Sequence, residues 1–79
     1  KYKLTISGEN FDSEKILLNL YAKKNNEEKS NLISYLIISK SENLYVVEFT
    51  LDSFMKDFEV VIINNSGRDI KLNSIKIGI

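Results

Sequence analysis

Through most of this 79-residue chain the apolar side chains fall on every second position, a period that belongs to β-strands. Tyr2, Leu4 and Ile6 alternate with Lys3, Thr5 and Ser7. Tyr45, Val47, Phe49 and Leu51 are set against Leu44, Val46, Glu48 and Thr50. From Phe58 to Ile63 the residues after Glu59 are all β-branched, which suits a pleated, half-buried surface. No proline interrupts any of these runs.

Polar connections separate the runs. Ser7-Gly8-Glu9-Asn10 is turn chemistry, after which Phe11 is expected to fold back onto the core. Lys24 to Asn31 is wholly polar and reads as a solvated loop. Ser41-Glu42-Asn43 makes a short turn, and Phe54 and Met55, within Asp52–Asp57, are expected to plug an open end. Asn64-Asn65-Ser66-Gly67 is a further turn, with Gly67 placed for a positive φ. In the last segment Ile70 and Leu72 keep one phase while Ile75, Ile77 and Ile79 keep the other, so Asn73-Ser74 marks a bulge or corner.

Two segments read less simply. Between Lys15 and Lys23, Ile16, Leu18, Leu20 and Ala22 alternate with Asn19, Tyr21 and Lys23, but Leu17, Leu20, Tyr21 and Lys24 also fit a helical stripe that Asp12-Ser13 would cap. The cleaner alternation and the strand-like neighbours favour a strand. Leu32 to Ser39 is apolar at both parities and reads as one strand covered on both sides, central in a sheet or part of an interface.

Six strand signals with polar connections imply an all-β fold, an antiparallel β-sandwich of jelly-roll type. Residues 1–79 form a single domain, with Tyr45, Phe49, Phe58, Val60 and Ile62 near its centre. Strand patterns that run to both ends suggest a piece of a larger protein.

Composition narrows the chemistry. Without Cys or His, disulfides, the usual zinc ligands and the commonest nucleophile–base pairs are excluded. Eleven basic and eleven acidic residues are interspersed, which argues against nucleic-acid binding and gives no sign of a polybasic membrane anchor. The longest apolar runs, Tyr35–Ile38 and Val60–Ile63, are strand-length, so no membrane insertion is expected.

The order of these signals resembles the carbohydrate-binding-module jelly rolls, the galactose-binding-like β-sandwiches. The resemblance is carried by a strand opening on Tyr (Tyr2-Lys3-Leu4-Thr5-Ile6), a Leu-rich strand (Ile16 to Lys23) and a Tyr/Phe strand (Tyr45-Val46-Val47-Glu48-Phe49). The apolar strand Phe58 to Asn65 and the closing segment Ile70 to Ile77 complete it. It covers nearly the whole chain as a pattern of strand order. It implies a non-catalytic accessory module of a larger, bacterial, glycan-processing protein. Asn73-Ser74 stands where the family often has paired Asp, so its structural calcium is not implied here. The family's first strand and its sugar-stacking Trp are also missing.

Glycan stacking needs an aromatic ring with polar neighbours, and Tyr21 beside Asn19 and Lys23 offers one, with Tyr35 as the next candidate. The alternative function is oligomerisation or packing against domains of the parent protein, through Leu17, Tyr21, Ile33, Tyr35 and Ile37. Catalysis would fall to carboxylates, with Glu48 and Glu59 the conceivable pair, and no enzyme is expected. No cofactor or metal is expected; Glu9, Asn10 and Asp12 supply hard oxygens without a dedicated spacing. Asn64-Asn65-Ser66 matches a glycosylation sequon, which matters only in a eukaryotic secretory setting.

Overall fold

A computed structural model describes residues 1–24, 27–52 and 55–79. It contains seven strands: β1 (Tyr2–Glu9), β2 (Ile16–Lys24), β3 (Ser30–Ile33), β4 (Tyr35–Lys40), β5 (Leu44–Phe49), β6 (Met55–Asn64) and β7 (Lys71–Gly78). They form a four-stranded sheet in the order β4-β5-β1-β7 and a three-stranded sheet in the order β3-β2-β6. Every pairing is antiparallel. The molecule is thus a small all-β sandwich, and Ile16–Lys24 is a strand, as its alternation indicates.

The alternation tells each side chain which way to point. In the larger sheet Leu4 is paired with Val47 and Ile6 with Tyr45, all facing inward and nearly free of solvent. In the smaller sheet Leu18 lies opposite Ile62 and Leu20 opposite Val60 on its inner face. Phe49 and Phe58 stack across the interior with ring centroids 5.0 Å apart, and Tyr2 stacks on Phe49 at 5.8 Å. Each such buried side chain contributes about 2 kcal/mol, and with no disulfide this layer carries the stability. Phe11 reaches the core from its turn and is 1% exposed.

The seventh strand is a departure from the six expected. Leu32 to Ser39 does not form one strand covered on both faces. The chain leaves the smaller sheet at Ile33, turns at Ser34 and enters the larger sheet at Tyr35. Both halves lie at sheet edges, so an apolar run that reads as doubly buried is largely open to solvent. Of the two residues expected to plug the end, Met55 begins β6 and packs against the core, while Phe54 lies outside the described residues.

Asn73 is the bulge that the phase change implies. Ser7 is paired with Ser74 but Gly8 with Leu72, leaving Asn73 as an extra residue. The extra residue absorbs the change of phase, so Leu72, Ile75 and Ile77 all project to the inner side of β7. It also drives the Lys71 carbonyl against β1, where only a glycine fits. A Cβ at position 8 would lie 1.8 Å from the Lys71 oxygen and 2.8 Å from the Phe11 ring. Gly67 takes φ 77° in its turn, as its place in Asn64–Gly67 requires.

Gly8→Ala is therefore expected to destabilise the fold by about 3 kcal/mol, since backbone and a buried ring must both move. Gly78→Ala, with open space around the added methyl, should change stability by less than about 0.5 kcal/mol. Urea unfolding of the two variants measures the difference.

Candidate functional site

The residues singled out from the sequence separate onto different surfaces. Tyr21, Asn19 and Lys23 are half-buried along the outer face of the smaller sheet, where alternate residues of β2 point to solvent. Leu17 shares this face and is 48% exposed. Tyr21 is paired with Leu32 on one side and Glu59 on the other. Lys23 approaches Asp57 at 3.9 Å. Asp57 sits at φ 52° where β6 carries an extra residue opposite Tyr21–Lys23.

Tyr35 lies elsewhere. The turn at Ser34 carries it to the larger sheet opposite Phe49, and its hydroxyl donates to the Leu18 carbonyl at 2.7 Å, tying β4 to β2 across the interior. Its polar tip is thus engaged within the fold. Ile33 is buried opposite Leu20, whereas Ile37 is 54% exposed on β4. Leu17, Ile33, Tyr35 and Ile37 therefore do not form one patch, because the chain changes sheets in their midst.

Glu48 and Glu59 do not face each other. Glu48 is paired with Lys3 and Glu59 with Tyr21, which puts them on the outer faces of opposite sheets. Glu48 also meets the Lys1 ammonium at 3.3 Å. The Asn10 side-chain oxygen accepts from the Arg68 guanidinium at 2.7 Å, so it already faces a cation. Among the described residues no group of three or more acidic side chains is gathered as a metal would need.

What does come together is an apolar corner around Ser34. Leu32, Leu36, Ile37 and Ile38 are 66%, 68%, 54% and 52% exposed. A shallow groove of about 500 Å³ runs along it, lined by Leu32 to Leu36 and by Glu48, Phe49 and Thr50, with Lys1 at its rim. The only mark of this corner in the sequence is Ser34, a lone serine within the apolar run Leu32 to Ile38 that by itself does not announce a change of sheet.

Lys40, the only charged residue of β4, is turned away from this surface. Its ammonium donates to the Ser13 carbonyl at 2.8 Å and the Ile16 carbonyl at 3.0 Å. It also lies 5.1 Å from the centre of the Tyr45 ring. Tyr45 is only 4% exposed, and burial, followed by its interaction with the Tyr35 hydroxyl, pushes its pKa up to about 12.

No protein-family model matches the chain, and neither does any curated protein or solved structure.

Tyr45 makes the fold sensitive to alkali. Its folded-state pKa is raised above the ordinary 10.0, so its contribution is fully present below pH 10 and is lost as pH rises towards about 12. Over that window the unfolded chain ionises first, removing up to about 3 kcal/mol. Tyr45→Phe should flatten this part of the profile, read as the urea midpoint against pH. An equal decline in the variant would assign the effect to other groups.

Proposed function

We propose that this sandwich is a non-catalytic interaction module that engages another polypeptide along the β3–β4 corner. The observation that carries this reading is the exposure of Leu36, Ile37 and Ile38 along the β4 edge of the larger sheet, with Leu32 across the turn at Ser34 on β3, each more than half open to solvent. Isolated exposed leucines are ordinary, but here three successive residues of one edge strand are open and the first of them, Leu36, lines the groove with Leu32.

A second reading, a carbohydrate-binding module, is favoured by Tyr21, half-exposed with Asn19 and Lys23 on the outer face of the smaller sheet. Its stacking platform would be the Tyr21 ring, with the amide and ammonium reaching sugar hydroxyls. A glycan array tests it: binding lost in Tyr21→Ala supports this reading, and an array silent with the unaltered chain removes it.

The interaction reading is tested with a dye that fluoresces on exposed apolar surface, using dilute protein. Leu36→Lys combined with Ile38→Lys should lower the dye signal more than Ile75→Lys combined with Ile77→Lys on β7, and leave the unfolding free energy within about 0.5 kcal/mol of the parent. A large loss of stability would show that these side chains are core, and would overturn the assignment.

A further inference from the structure

Resting on the interaction reading, we infer that the partner at this corner is a second copy of the same chain, joined by antiparallel pairing of β4 with β4 about a two-fold axis. Three observations lead there.

The first is that the apolar surface wraps around the edge. Leu36 is paired with Glu48 on the outer face of the larger sheet, while Ile37 is paired with the inward-facing Val47, yet both are more than half exposed. A flat partner laid on the outer face would cover Leu36 and leave Ile37 in water. A strand added at the edge carries side chains on both faces and covers both. β4 is itself such a strand, so its own copy is the complement it needs.

The second is charge. Natural sheets guard their edges with charged side chains, bulges or very short strands. β6 carries Lys56, Asp57 and Glu59 with an extra residue in the same stretch, and β7 carries Lys71 and Lys76 with the Asn73 bulge. β3 is only four residues long. β4 has one extra residue, Ile38, and no charge directed to solvent, because Lys40 is bonded inward to the Ser13 and Ile16 carbonyls. Two-fold pairing of a charged edge sets like charges side by side; here there are none to repel.

The third is area. The three exposed side chains of β4, Leu36, Ile37 and Ile38, offer on the order of 300 Å² per copy, under half of the roughly 800 Å² each partner contributes to a standard interface. The open backbone of β4 and the walls of the groove supply the remainder. The pairing would extend the larger sheet to eight strands across the dimer, with the axis near Ile37, and place Leu36 and Ile38 of each copy beside those of the other.

The absence of cysteine makes a direct test available. Light scattering coupled to size exclusion should show the mass doubling from 9.1 kDa across micromolar concentrations, and Leu36→Lys should stay monomeric, with unfolding matching the parent's only at dilutions where the parent is itself a monomer. Single variants Leu36→Cys, Ile37→Cys and Ile38→Cys, oxidised as the assembled protein, should give a disulfide-linked dimer from at least one. Ile77→Cys, on the opposite edge, should give none. A monomer at every concentration, or cross-linking through Ile77→Cys alone, would overturn self-pairing. Such a monomer that still binds the apolar dye would leave the interaction reading standing with a different partner.

Discussion

The layer of side chains between the two sheets is the interaction on which everything else in this molecule depends. It holds the fold without a disulfide, and the described residues gather no cluster of acidic groups for a metal. Leu4, Ile6, Leu18, Leu20 and Val47 fill it, and Phe49 bridges to Phe58. Burial of these groups offsets the conformational entropy of a chain too short to have much in reserve. The few polar groups at its margin are satisfied: Tyr35 bonds to the Leu18 carbonyl, and Lys40 closes one end on two more carbonyls. Both bonds run from β4 towards the elements that begin the smaller sheet. They anchor an edge strand that pairs with only one neighbour.

That anchoring gives the exposed corner its character. A loosely held apolar edge would be an aggregation hazard. Here the backbone of β4 is fixed by β5, its tyrosine by β2 and its lysine by the β1–β2 connection. A preformed edge loses little freedom on meeting a partner, so more of the contact energy remains as affinity. Directing Lys40 inward thus strengthens the fold and removes the charge that would keep another strand away.

Much of the fold was legible in the sequence because strand burial has a strict period. Leu4/Ile6 and Leu18/Leu20 announced their inward faces, and Gly67 its turn. The broken phase at Asn73-Ser74 announced the bulge. Periodicity was silent at Leu32–Ile38, where apolar residues occupy both parities. Such a run suits a central strand covered by two layers, and it equally suits an edge strand whose two faces both stay open, as at Leu36 and Ile37. Which one applies depends on a change of sheet at Ser34, and a single serine in an apolar run does not announce it. The same change of sheet explains why the candidate interface residues parted company. Tyr21, Asn19 and Lys23 kept the common face that alternation assigned them, since no break intervenes along β2.

The unequal sheets carry one more consequence. With four strands against three, β7 has few neighbours across the interior, and Ile75 and Ile77 on its inner side remain 43% and 49% exposed. Little apolar burial secures this strand beyond its ladder with β1, so local opening there should cost less than in the central strands. One place where the fold frays then lies at the far edge of the larger sheet from β4. Fluctuation at this rim need not disturb β4 at the other, because the central pair β5 and β1 lies between them.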